Sequence, residues 1–478
     1  MGGTRTPMTA RQAWVLALTS ASTFMIALDG TVVATALSAI RHDLGASIEA
    51  LEWAMNAYIL SFAVLLLTGA ALGDRLGRRR MFVAGIGLFT LASAACAAAP
   101  GIGWLIAARA VQGAGAALVM PLALTQLSMA FPPRERGRAL GIFSGLIGLA
   151  TFSGPFVGGA VAQGLAWQWI FLVNVPIGAV AVALSRSRLE ESHGPRRPLD
   201  VGGVLLATAG SFGLVWGLVR GNRAGWGSLE ITGSLLVGVV LVVAFVGWET
   251  RTAAPMVPLR FFRVRAFSAV NLANFCMVGS MYGTLFFLAQ YLQTSLGYGP
   301  FAAGVRIMPW TGTLMVCAPL AGALSDRVGE RWLMVVGLSL QTVGMGWLAL
   351  IAAPDLAYVR MLAPLVIGGC GISMAMPAMQ RGALGTVAPA EIGQASGIFN
   401  MLRQMGAVFG IAIAVAAFAH SGGVGSPRGF ADGFSAAMAA AAVMSLLGML
   451  AAVAVPGRRR PGVTADPTPE RETASALS

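Results

Sequence analysis

One carboxylate, Asp29, interrupts the apolar run MIALDGTVVATAL (Met25 to Leu37), and one guanidinium, Arg109, opens RAVQGAGAA in a second apolar run. A charged side chain at the centre of a spanning helix costs about 2.5–3.5 kcal/mol on insertion scales, so such residues face a partner or a cavity. A carboxylate shielded from bulk water holds a proton more readily than an exposed one, and gives it up when a cation arrives. The chemistry Asp29 suits is proton exchange. Structural readings compete with it: Asp29 could be tied to Thr31 or to a neighbouring helix, and Arg109 could snorkel towards an interface.

Other polar residues fall inside apolar runs and are candidates to line a substrate cavity: Asn56, Tyr58, Gln112, Gln126, Asn274, Tyr282, Asn400, Arg403 and Gln404, with Asn174, Asn271 and Gln290 beside them. Phe, Trp and Met supply adaptable apolar surface suited to varied lipophilic ligands. Enzyme chemistry finds no support. His42, His193 and His420 lie far apart without metal-ligand spacing, and no GxxxxGK[ST] phosphate loop appears, so neither a metal nor ATP is expected. Cys96, Cys276, Cys317 and Cys370 show no paired spacing and read as small packing residues.

The elements that must position these residues are membrane helices. Fifty-six per cent of the 478 residues are hydrophobic and 11 % are charged, where a soluble domain carries roughly a quarter charged residues. Runs long enough to span a bilayer fall near 14–36, 53–72, 81–99, 102–125, 139–163, 168–185, 200–219, 230–248, 267–290, 302–323, 331–353, 358–379, 394–418 and 432–454. The expected fold is therefore all-α, with fourteen transmembrane helices. All 32 basic residues are arginine; with the N-terminus inside, 24 fall on the cytoplasmic side and only Arg41, Arg220, Arg223, Arg360 and Arg428 on the other. The positive-inside rule then places both termini in the cytoplasm. The same asymmetry accounts for a pI near 11.1 without invoking nucleic acid. The first run is too long for a signal-peptide core and reads as a retained helix.

The chain repeats itself. ALGDRLGRRRMFVAGIGL (Ala71 to Leu88) resembles ALSDRVGERWLMVVGLSL (Ala323 to Leu340) 252 residues on. Gly113, Gly115, Met120 and Pro121 match Gly369, Gly371, Met376 and Pro377 at a spacing of 256. The expected organisation is a cytoplasmic segment 1–13, a six-helix bundle 14–185, a linker with two inserted helices 186–266, a second six-helix bundle 267–454, and a disordered cytoplasmic tail 455–478. Paired bundles around a midplane cavity are the architecture of secondary transporters. Residues present in both halves serve the shared scaffold. Asp29 and Arg109 need another reason, because their matches are Met281 and Leu365.

GDRLGRRR, with Gly73, Asp74, Arg75, Gly77 and Arg78, is closely similar to the hallmark loop of the major facilitator superfamily, and Asp326 and Arg327 repeat it. The Arg109 helix resembles the family's second motif, and GPFVGG (Gly154, Pro155, Gly158, Gly159) its antiporter motif. LDGTVVATAL and WAMNAYIL (Trp53 to Leu60) resemble the fourteen-helix drug:proton antiporters of the EmrB/QacA type, as do GVRIMPW (Gly304 to Trp310) and GIFNMLRQMGAVFG (Gly397 to Gly410). Ala34 departs from the asparagine that many relatives carry. The resemblance implies a major facilitator fold and a loop that latches the two bundles on the cytoplasmic side. It further implies proton coupling through Asp29 and Arg109, and export of lipophilic, cationic compounds from the bacterial cytoplasmic membrane. It implies no cofactor beyond the proton gradient, and contacts with protons, small molecules and lipid by a monomer. Two alternatives stay open: a dedicated exporter of one endogenous metabolite or lipid, and a non-transporting receptor or scaffold.

Overall fold

A backbone in lipid must satisfy its own hydrogen bonds, so long apolar runs fold as helices. The computed structural model describes residues 8–194, 200–253, 255–388 and 391–456, with side chains left aside at 133, 134, 137, 322, 323 and 325–327. It holds fourteen helices long and apolar enough to cross a membrane. They are α1 (Ala10–Leu44), α2 (Ile48–Leu76), α3 (Arg78–Ala97), α4 (Ile102–Ala130), α5 (Pro133–Gly164), α6 (Trp169–Arg188) and α7 (Val201–Ala224). After these come α8 (Leu229–Arg251), α9 (Arg265–Thr294), α10 (Pro300–Val328), α11 (Glu330–Ile351), α12 (Val359–Leu384), α13 (Ile392–Ser421) and α14 (Pro427–Val453). No strand occurs among the described residues. The expected tail 455–478 lies, after its first two residues, outside them.

Helices outrun the hydrophobic runs because their polar ends are capped. Thr9 and Gln12 form a capping box at the start of α1, and Gly45 closes its far end in the left-handed conformation. In the two signature loops Gly77 (φ +110°) and Gly329 (φ +86°) turn the chain between α2 and α3 and between α10 and α11. Both halves keep glycine there because a side chain would strain either turn.

Packing repeats with the sequence. In the first half α1 packs on α4, α5 and α6, while α4 packs on α2 and α3; in the second, α9 packs on α12, α13 and α14, while α12 packs on α10 and α11. The halves meet through two equivalent seams, α5 on α10 and α2 on α13. The inserted helices α7 and α8 pack on each other, and α7 lies along the α2–α13 seam. There Trp53 meets Phe212 and Trp216 with ring centroids 5.3 and 5.8 Å apart. Leu236, Val237, Val239, Val240 and Val243 leave an apolar face of α8 exposed, as lipid contact requires. The cysteines are all free thiols, but Cys317 of α10 and Cys370 of α12 lie side by side with Sγ atoms 3.3 Å apart, a pairing that their spacing in the chain does not show.

Candidate functional site

Five helices of the first bundle converge on Asp29. Its Oδ2 accepts from Arg109 Nη1 of α4 at 2.5 Å, and its Oδ1 accepts from Gln112 Nε2 at 2.9 Å and from Asn174 Nδ2 of α6 at 3.2 Å. Gln112 also donates to Ser93 Oγ of α3 at 2.8 Å and accepts from Arg109 Nη1 at 2.7 Å. Arg109 Nε reaches the Ala54 carbonyl of α2 at 3.2 Å, and its guanidinium lies 4.2 Å from the centre of the Tyr58 ring. Tyr58 Oη in turn donates to the Ile26 carbonyl of α1 at 3.3 Å. Asp29 and Arg109 are 1 % and 2 % exposed.

Of the structural readings left open by the sequence, the geometry keeps one: Asp29 is tied to neighbouring helices, through Arg109 and Gln112 of α4 and Asn174 of α6. Arg109 does not snorkel; it is spent on Asp29, Gln112 and a backbone carbonyl. Thr31 is not the partner of Asp29, since its hydroxyl donates to the Ala27 and Leu28 carbonyls of its own helix. Burial of both charges is tolerated because each is paired and hydrogen-bonded. At a spacing of 252, Ser93 corresponds to Met345; at 256, Arg109 and Gln112 correspond to Leu365 and Gly368. The second bundle thus builds the same packing with apolar residues.

Gly154 and Gly158 fix how α5 meets the helix carrying Asp29. A methyl group on Gly154 would run into the Thr31 side chain, and one on Gly158 into the Val32 carbonyl and Thr35. On the other side, Gly159 lies against Pro300 and Phe301 of α10, and Gly304 of α10 against the Pro155 carbonyl. The GPFVGG segment is therefore wedged between the Asp29 helix and the second bundle, where small residues allow backbones to approach closely.

The signature loop makes contacts that the sequence does not foreshadow. Asp74 pairs with Arg78 one turn on, at 2.7 Å, and Gly73 packs on Leu122. Glu191, in the segment after α6, accepts from the backbone N–H groups of Arg79 and Arg80 at 2.9 and 3.3 Å. It caps the start of α3, where Gly77 has no side chain to do so. Arg78 N–H donates to the Ser192 carbonyl, and Gly194 N–H to that of Asp74. These contacts join the first bundle to the segment that follows it, and Arg75 is exposed. The repeat residues Asp326 and Arg327 lie outside the residues described with side chains.

Of the cavity candidates, Tyr58, Gln112 and Asn174 join the Asp29 network. Asn56 lies nearby in α2, bonded to Glu52 Oε1 at 3.1 Å. Gln126 is buried further along α4. The others belong to the second bundle: Asn274 donates to the Phe399 carbonyl at 3.2 Å and Asn400 to that of Ser396 at 2.9 Å. Tyr282 and Arg403 are half-buried and Gln404 is buried. Ser93, Glu191 and Glu52 were not singled out by the sequence. Serine and glutamate are common near helix ends, and their partners are distant in the chain or masked by an ordinary helical spacing. Only the period of α2, which sets Glu52 one turn before Asn56, offered a signal.

Twelve of the fourteen helices in two like-built bundles, with a paired charge buried in one of them, define a membrane protein of the secondary-transporter architecture. The model of the Major Facilitator Superfamily matches residues 19–411 and, again, 270–478. The chain belongs to that superfamily. It is 35 % identical over 401 residues to the tetracenomycin C resistance and export protein of Streptomyces glaucescens, covering 81 % of this chain and 72 % of that one. It is 37 % identical over 456 residues to the cephamycin export protein CmcT of Amycolatopsis lactamdurans, covering 93 % and 92 %. Among solved structures, a POT family transporter in complex with a thioalcohol-conjugated peptide superposes with a TM-score of 0.68 at 15 % identity, over 91 % of this chain and 94 % of that one.

Proposed function

We propose that this multi-pass membrane protein is an efflux transporter that exchanges protons for lipophilic, cationic compounds by alternating access. The observation that carries the coupling is the Asp29–Arg109 pair, buried in one bundle and replaced by apolar residues in the other. In the arrangement described, the Asp29 carboxyl faces the Arg109 guanidinium. A proton arriving at Oδ2 would remove the charge that holds Arg109 Nη1, freeing α1 from α4. The glycines of α5, wedged between α1 and α10, would pass that loosening to the second bundle. Return of Arg109, or entry of a cationic substrate, favours the ionised form and drives the proton off. Proton and substrate then exclude one another at one site, which couples inward proton flow to outward substrate movement. The arginine distribution supports a cytoplasmic-membrane location with both termini inside. No cofactor is assigned to this cycle, which the proton gradient drives.

The test is tetraphenylphosphonium accumulation in proteoliposomes under an imposed pH gradient. Asp29→Asn is expected to abolish gradient-driven accumulation; accumulation at the wild-type level would remove Asp29 from the coupling step. A second reading, export of one endogenous metabolite, is favoured by the names of two relatives, each of which specifies a single compound or compound class. A substrate panel in the same vesicles separates the two.

A further inference from the structure

A second acid lies close to the Asp29 network, and the cycle above does not use it. Glu52, in the second turn of α2, is fully buried, although a buried carboxylate ordinarily has a charged partner. Its Oε1 accepts from Asn56 Nδ2 at 3.1 Å. Its Oε2, like Asn56 Oδ1, meets no donor among the described residues. No cation answers it from the helices around α2. Arg109 of α4 is committed to Asp29, Gln112 and Ala54. Arg220 of α7 pairs with Glu230 at 2.8 Å, and Arg223 is exposed. On α1, Asp29 is itself an acid, while Arg41 and His42 sit at the helix end beside Thr294. On α13, Arg403 and His420 form no ion pair with Glu52 among the described residues, and the α3 arginines Arg78 to Arg80 lie at the opposite end of α2. Glu49, three residues away, adds a like charge.

An acid so placed has one oxygen satisfied as an acceptor and another facing no donor. Carrying a proton removes the uncompensated charge and makes Oε2 a donor instead of an orphaned acceptor. We propose that Glu52 is a second proton-carrying acid, separate from Asp29, so that each cycle moves a proton held at Glu52 as well as the one exchanged at Asp29. Only an O–H bond is made and broken: water on one side of the membrane supplies the proton and water on the other receives it. Glu52 lies on the outer side of Ala54, whose carbonyl holds Arg109, so a proton entering from outside meets Glu52 first. The transport part of this inference rests on the proton-coupled reading above.

Infrared difference spectra of the purified protein, recorded between neutral and alkaline pH, test the protonation without any substrate. A carboxylic-acid carbonyl band, shifted in deuterated water, is expected in the wild type and in Asp29→Asn, and is expected to vanish in Glu52→Gln. The same band undiminished in Glu52→Gln overturns the proposal. Should the Gln variant fail to fold, a displaced band in Glu52→Asp makes the assignment, and an unmoved one overturns it. In proteoliposomes with the membrane potential clamped, one pH unit is worth about 1.36 kcal/mol per coupled proton, a factor of about ten in accumulation. Tetraphenylphosphonium accumulation should therefore fall about tenfold per pH unit in Glu52→Gln and recover in Glu52→Asp; an unchanged ratio overturns the second-proton role. If wild-type vesicles accumulate no probe while the band is present, the transport reading fails and the protonation of Glu52 stands.

Discussion

Asp29 and Arg109 hold each other in place, and neither is tolerable at that depth alone. Removing one partner of a buried ion pair leaves the other as an uncompensated charge, at a cost of about 3–5 kcal/mol. Asp29→Asn should therefore lower stability by roughly that amount in detergent unfolding as well as stopping coupling. Adding Arg109→Gln to it should recover most of the stability while accumulation stays absent. A double variant no more stable than Asp29→Asn would show that the network, not the charge, carries the cost. The sequence marked both residues, because a charge within an apolar run is visible by inspection. It did not show that they touch, since they are 80 residues apart, nor that Ser93 and Asn174 complete the shell around them.

At the scale of elements, helix approach is set by glycine. Gly158 has no room for a methyl group against the Val32 carbonyl and Thr35, whereas Gly145, on the same helix, faces open space. Overpacking a close contact costs about 1–3 kcal/mol, so Gly158→Ala should destabilise by that order and slow transport, with Gly145→Ala close to wild type in both. Equal effects would mean that helix propensity rather than the α1–α5 contact matters. GPFVGG was legible as a small-residue segment, but which helix lay on each side was not. The same holds for the start of α3, whose cap, Glu191, comes from a segment more than a hundred residues later. Capping by a local residue can be read from spacing; capping across the fold cannot.

At the scale of the whole molecule, the bundles meet through α2–α13 and α5–α10, as a duplicated unit related by pseudo-symmetry must. On the side opposite the arginine-rich loops, Gln163 Oε1 accepts from Phe301 N–H at 3.0 Å, and Gln293 Nε2 donates to the Thr35 carbonyl at 3.1 Å. If the bundles rock apart there in each cycle, a tether must stop it. The pair Gln163→Cys and Gly299→Cys, introduced at neighbouring positions of α5 and the α9–α10 loop, should lose transport on oxidation and regain it on reduction. Transport that continues through the cross-link would exclude separation of these ends.

What the sequence determined by itself is whatever depends on local composition and repetition: helix number, the duplicated bundles, and the two charges that lipid penalises. Hydrophobic runs are a linear property, and lipid enforces them segment by segment. The tertiary structure alone decided which groups neutralise one another: that Arg109 answers Asp29, that Glu191 caps α3, and that Glu52 has no cation among the described residues. Electrostatic pairing depends on distances of a few ångströms between helices, and those distances are set by glycine contacts that no single segment contains. The opening carboxylate of MIALDGTVVATAL is thus conspicuous in the sequence, while its partner is a property of the packed bundle.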